Sequence, residues 1–218
     1  MVSLFYLFAI NKRSIPMKLY YSPGACSLSV HIILCETELT YDLIRVDLKT
    51  KLTEDKQNFC NINPFSYVPA IELDNGKILL EGPAIIQYIA DQVPEKQLAP
   101  ANGTFERYQL QQQLNFISTE LHKGLGGLFN PAFTSDTQEI FKDNFSRRLD
   151  ILVPKLADDN YLLGAQFSVA DAYLFTVLSW CPMVGFDLTK WPDLISYQQR
   201  IAKRPSVQKA LKEEGLTD

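Results

Sequence analysis

The stretch KLYYSPGACSLSVHIILCET, residues 18–37, decides the fold. KLYYS predicts a short strand opening at Met17, Pro23-Gly24 marks a turn, and ACSLSVHIILCET carries Leu28, Ile32 and Cys35 at helical spacing. YDLIRVDL, residues 41–48, is strand-like again. Strand, helix, strand of this length predicts a βαβ unit whose two strands run parallel. A polar stretch with Thr53, Glu54 and Asp55 then predicts an irregular helix ahead of Pro64. After it, YVPAIELDNGKILLEG (67–82) contains two apolar runs joined at Asp74-Asn75-Gly76, and Asn-Gly between such runs is a strong hairpin signal. PAIIQYIADQV (83–93) predicts a helix with proline in its first turn, where the missing N–H costs nothing.

Residues 17–93 therefore predict an α/β unit in the order βαβαββα. Pro94, Pro100 and Gly103 make 94–103 a natural linker. Beyond it, 104–218 predicts an all-helical domain, with apolar periodicity over 104–123, 137–157, 168–180 and 192–213. In FSVADAY (167–173), Ser168 is a good N-cap and Asp171 completes a capping-box variant. Residues 1–16, MVSLFYLFAINKRSIP, are predicted to form an extension outside the fold. Their positive charges follow the apolar run and no small-residue cleavage site appears, which favours a cytoplasmic protein; an export signal, and so a periplasmic location, is the alternative.

The chain has 218 residues, 46% of them hydrophobic and 21% charged, which suits a folded globular protein. A net charge of -4 offers no phosphate-binding footprint and argues against nucleic acid. The apolar N-terminal run is too short to span a bilayer, so no membrane partner is expected. Cys26, Cys35, Cys60 and Cys181 show no CxxC spacing, and only His31 and His122 accompany them, so neither a zinc site nor a disulfide framework is expected.

Cys26 has the most informative address. It falls after the first strand, at the start of the following helix, where α/β sheets bind ligands. The helix N-terminus should lower its pKa and favour the nucleophilic thiolate. Cys35, Cys60 and Cys181 are predicted to be core. Glu81-Gly82-Pro83 opens a helix whose N-terminus suits a carboxylate, while the glutamate suits an ammonium; a favourable dipole charge is the plainer alternative. Val68-Pro69 is an extended X-Pro junction before a strand. Asn115 and His122, seven apart in QQQLNFISTELHKGL (111–125), fall on one helical face beside Lys123. Spacing alone leaves His122 open between a boundary residue and a catalytic one. Tyr108, Phe116, Phe129, Phe133 and Trp180 are candidates for either core or an apolar pocket.

Taken together, KLYYSPGACSLSVHI, VDLKTK, NPFSYVPAIELDNG, EGPAIIQYIAD, LNFISTELHKG and FSVADAYLF, in this order, resemble the bacterial beta-class glutathione transferases over Met17 to Asp218. The resemblance implies a thioredoxin-like N-terminal domain, a helical C-terminal domain completing an apolar second-substrate site, and a homodimer. It also implies glutathione as cosubstrate, no bound cofactor, and small hydrophobic electrophiles as partners. By resemblance, Cys26 faces the glutathione sulfur and can form a mixed disulfide with it. Val68 pairs with the tripeptide backbone, next to a cis bond at Pro69. Glu81 and Gly82 hold the γ-glutamyl end, where many transferases have serine in place of Gly82. Lys51 meets the glycyl carboxylate, and Asn115, His122 and Lys123 approach the thiol from the helical domain. Phe116 and Trp180 are expected in the second-substrate pocket. Ser27, Tyr20 and Tyr21 compete with Cys26 as the activating group. The implied activities are conjugation and glutathione-dependent thiol–disulfide exchange. The alternatives are a non-catalytic protein of the same fold that binds glutathione or an apolar ligand, and a scaffold that has lost the glutathione site.

Overall fold

The computed structural model describes residues 17–157 and 160–217, so the expected extension at 1–16 lies outside the described residues. Strands β1 (Met17–Tyr21), β2 (Tyr41–Asp47), β3 (Leu52–Thr53), β4 (Ala70–Glu72) and β5 (Ile78–Leu80) form one sheet in the order β3-β2-β1-β4-β5. β1 and β2 are parallel across helix α1 (Ser27–Thr37), and β4 and β5 pair antiparallel to complete a thioredoxin-like sheet. The β4–β5 turn closes with Gly76 N–H donating to Leu73 and Gly76 at φ +75°, a backbone that glycine accepts without strain. The irregular helix expected before Pro64 is a single 3₁₀ turn, Phe59–Asn61. There the Asn58 side chain takes the N–H of Cys60 and Asn63 that of Phe65, offering the backbone a competing partner to helix.

Helix α2 (Gly82–Asp91) packs on α1, and the rest is helical: α3 (Phe105–Phe116), a π-helical turn (Ile117–His122), α4 (Lys123–Gly126), α5 (Ser135–Leu152), α6 (Pro154–Ala157), α7 (Val169–Leu178), α8 (Pro192–Ala202) and α9 (Pro205–Glu213). The single helix expected over 192–213 is two. Proline at 205 forces Arg204 into extended backbone (φ -66°, ψ 137°) and starts α9. The capping box is present: Asp171 accepts from the Ser168 N–H and hydroxyl, the Leu162 N–H and the Tyr197 hydroxyl, all at 2.8 Å.

α1 is the element that joins the two halves. Residues 27–35 are all buried, because the sheet covers one side and α7 and α9 the other. At its far side His31, fully buried, bonds Glu214 at 3.0 Å and Glu213 at 2.8 Å. Burial alone would lower the imidazole pKa, but Cys35, Glu214 and Glu213 outweigh it and raise it to about 10. Arg107 of α3 meets Asp91 of α2 through two bonds of 2.9 and 2.7 Å and also donates to the Pro100 carbonyl.

Candidate functional site

A cleft of about 540 Å³ runs between the two halves. Cys26, Val68, Pro69, Glu81 and Gly82 line it from the sheet side, and His122 and Lys123 from the helical side. Cys26 lies at the end of the β1–α1 turn, and its Sγ donates to the Val68 carbonyl at 3.1 Å. The Val68–Pro69 bond is cis. Glu81, just before α2, has φ +70°, a conformation that costs a side-chain-bearing residue energy and that clusters at binding sites. Behind it Gly82 is buried against Pro69: a Cβ there would stand 3.6 Å from Pro69 Cγ, ordinary contact.

Cys26 departs from expectation in its ionisation. Burial pushes its thiol up to about 12, the backbone N–H groups of Cys26 and Ser27 offset only part of this, and the Glu81 carboxylate adds to the rise. The sulfur faces a carbonyl rather than the open end of α1, so the helix terminus does not win. Tyr20, Tyr21 and Ser27 do not line the cleft. Ser27 is buried, accepting the Ser22 N–H and donating to the Ser22 carbonyl, both at 3.2 Å. Tyr20 donates to Glu72 at 2.6 Å, and Tyr21 packs its ring 6.3 Å from that of His31.

On the helical wall, His122 shares a 2.7 Å hydrogen bond through Nδ1 with the Tyr173 hydroxyl. Burial, aided by the Lys123 charge, lowers its pKa to about 4, so the imidazole is neutral at pH 7. Asn115 is exposed and absent from the cleft lining. The reason is the π-helical turn at 117–122, whose extra residue per turn spoils the two-turn alignment of Asn115 with His122. Phe116 is half-buried against the main core, and Trp180 is buried, donating its indole N–H to the Gly24 carbonyl at 2.8 Å. Neither lines the cleft; Trp180 instead supports it, its ring 4.9 Å from that of His122. Lys51 also lies outside the lining, its ammonium donating to the Ser66 carbonyl at 2.8 Å.

The apolar wall comes from Pro83, read in the sequence only as a first-turn proline, and from residues that the sequence did not single out: Tyr67, Gly126, Gly127 and Tyr173, with Ser118 beside them. For the two glycines alone the run KGLGG is a signal, since a Cβ on Gly127 would run into the Phe141 ring and glycine lets the backbone come close. Of the other cysteines, Cys35 and Cys181 are buried as expected, whereas Cys60 is half-buried with its sulfur 3.0 Å from the Ser66 hydroxyl.

Two family models match this chain, "Glutathione S-transferase, N-terminal domain" over residues 15–91 and "Glutathione S-transferase, C-terminal domain" over residues 116–205. Glutathione S-transferase GstA of Escherichia coli O157:H7 is 42% identical over 200 residues, spanning 92% of this chain and 100% of its own length. Among solved structures, a ternary complex of BphK, a bacterial GST, is 54% identical with a TM-score of 0.89, covering 91% of this chain and 99% of that one. The beta-class glutathione S-transferase of Sphingomonas chungbukensis is 46% identical with a TM-score of 0.88, covering 92% of this chain and 100% of that one. Matched across both halves, with the cleft lying between them, this chain belongs to the glutathione S-transferase family.

Proposed function

We propose that the chain is a transferase that binds glutathione in this cleft and joins its sulfur to small hydrophobic electrophiles. The observation that carries the proposal is the convergence on one cleft of about 540 Å³ of a half-buried thiol, a helix N-terminus beside a carboxylate, and the Lys123 ammonium on the facing wall. Glu81 takes the γ-glutamyl ammonium, and the Gly82 N–H at the start of α2 takes its carboxylate. Val68 offers its backbone to the tripeptide as an added strand. Lys51 serves the glycyl carboxylate after releasing Ser66.

In the conjugation step the glutathione thiolate attacks the electrophile, a carbon–sulfur bond forms, and the leaving group departs with its electron pair. The thiol proton goes to solvent through the open cleft. Cys26, held protonated by burial, acts as an S–H donor to that thiolate, while Lys123 supplies positive charge. His122, kept neutral, receives the Tyr173 O–H on Nδ1 and so presents Nε2–H. Thiol–disulfide exchange through Cys26 belongs to the same site: Cys26 attacks a glutathione mixed disulfide, forming its own disulfide with glutathione and expelling the partner thiolate. The raised thiol pKa leaves little Cys26 thiolate near neutral pH, so this exchange should quicken as pH rises. The working unit in this reading is a homodimer in the cytoplasm.

Cys26→Ala separates the roles. Loss of disulfide reduction is expected, with conjugation of a model electrophile weakened by the missing S–H donor but not abolished; loss of neither removes Cys26 from the mechanism. Gly82 favours a second reading, a protein that sequesters glutathione with little turnover, because it lacks a hydroxyl to hold the substrate. Calorimetric binding of glutathione without turnover across several electrophiles would establish that reading.

A further inference from the structure

Away from the cleft, on the opposite flank of α1, one cluster gathers chemistry that no step above uses. His31 and Cys35 lie four positions apart on α1, so one helical turn puts imidazole and thiol on one face. Glu213 reaches the same point from α9. Nε2 of His31, Sγ of Cys35 and a carboxylate oxygen of Glu213 all lie within 4.8 Å of one another. The Tyr41 hydroxyl sits among them, 3.1 Å from the sulfur, 3.3 Å from Nε2 and 2.9 Å from Glu213 Oε2.

We propose that His31, Cys35 and Glu213 bind a borderline-soft divalent cation of the zinc type, with the Tyr41 hydroxyl displaced from their midst to the fourth position. The donor set is nitrogen, sulfur and oxygen, the set that selects zinc over magnesium or calcium. In a tetrahedral site with bonds of about 2.1 Å to nitrogen and 2.3 Å to sulfur, those two atoms stand about 3.5 Å apart. A cluster no wider than 4.8 Å asks the nitrogen and sulfur on α1 to close by no more than about 1 Å, and Glu213, whose Oε2 already stands 2.8 Å from Nε2 and whose side chain is 36% exposed, is free to follow the ion. The far side of the imidazole is already held: Nδ1 is 3.0 Å from Glu214 Oε1, the carboxylate–histidine arrangement that orients a metal-binding ring. Glu213 also opens a route from solvent. On binding, the ion displaces the protons on Nε2 and on the thiol to water, and Lys209, 3.8 Å from Glu213 Oε1, gives up its partner. Sequence spacing hid this set because Glu213 lies in the last described helix, far along the chain from Cys35.

Cobalt(II) provides the test, since a bound thiolate gives it a charge-transfer band that oxygen and nitrogen ligands do not. The reduced full-length protein, free of glutathione, is titrated with cobalt and then with zinc. The expected result is one cobalt per chain with the band present in the wild type, in Cys26→Ala and in Cys60→Ala, and absent in Cys35→Ser. Zinc should displace the cobalt and raise the melting temperature of the wild type by several degrees, but not that of Cys35→Ser. No band in the wild type, a band that survives Cys35→Ser, or one that vanishes in Cys26→Ala overturns the proposal. If Cys35→Ser does not fold, Glu213→Gln decides: a dissociation constant raised tenfold or more supports the site, and an unchanged one overturns it.

Discussion

The sulfur of Cys26 has two possible partners, the N–H groups at the start of α1 and the carbonyl of Val68, and it takes the carbonyl. A carbonyl acceptor holds the proton on sulfur. Alkylation of Cys26 in the free enzyme should therefore titrate near pH 12, well above the roughly 8.5 of an unhindered thiol, as peptide mapping across pH would measure. A midpoint at or below that of a free thiol would contradict the buried geometry. Gly82 allows a gain-of-function change. Its φ lies outside the positive range and a Cβ meets Pro69 at 3.6 Å, so Gly82→Ser fits, and a hydroxyl bond to a carboxylate, worth about 1.5 kcal/mol, should tighten glutathione by about tenfold in calorimetry. His122 gives a pH signature. Its pKa falls from 6.5 to about 4 on folding, so the unfolded chain binds the extra proton between those values and the contribution of His122 to stability rises with pH across pH 4–6.5. His122→Gln should flatten that slope, which amounts to at most about 3 kcal/mol, in urea melts at several pH values. At this scale the sequence placed Cys26, Val68, Pro69, Glu81, Gly82, His122 and Lys123 on one cleft. It misjudged the thiol because the acceptor, Val68, lies 42 positions away and no local pattern shows which way a sulfur points.

Among the elements, the parallel pairing of β1 with β2 and the crossover helix were legible because β1, α1 and β2 each carry their own periodicity. The helix expected over 104–123 was legible only as helix. Nothing in LNFISTELHKG marks the π-turn at 117–122, which re-aims His122 and leaves Asn115 outside. Aromatic residues were the hardest to assign, since Trp180 has the apolar character of a pocket wall yet works through its indole N–H. Trp180→Phe leaves the Gly24 carbonyl without that donor, so it should cost about 1–3 kcal/mol in denaturant melts and raise the KM for glutathione by loosening the Cys26 turn. Asp171 secures α7 by accepting four bonds while fully buried. Asp171→Ala strands those donors, and a loss of about 3 kcal/mol or more, or failure to fold, is the expected outcome in thermal melts.

For the whole molecule, the thioredoxin-like half and the helical half share one main core, which runs from Leu19 and Ile32 through Leu174 to Ala210. That continuity predicts a single unfolding transition. Fluorescence of Trp180 and Trp191, both in the helical half, should coincide with exposure of Cys26 in the other half; two separated midpoints would show that the halves melt independently. The bond from the Gly24 N–H to Glu214, 2.8 Å long, ties together residues 190 positions apart. A ribosome adding about 5–20 residues each second makes the first of them about 10–40 s before the second. For that interval the nascent chain displays its sulfur on a turn whose last fastening has not yet been translated. A product that terminates early, before Glu214, would keep every sheet-side residue of the cleft and lack the carboxylate that takes the Gly24 N–H.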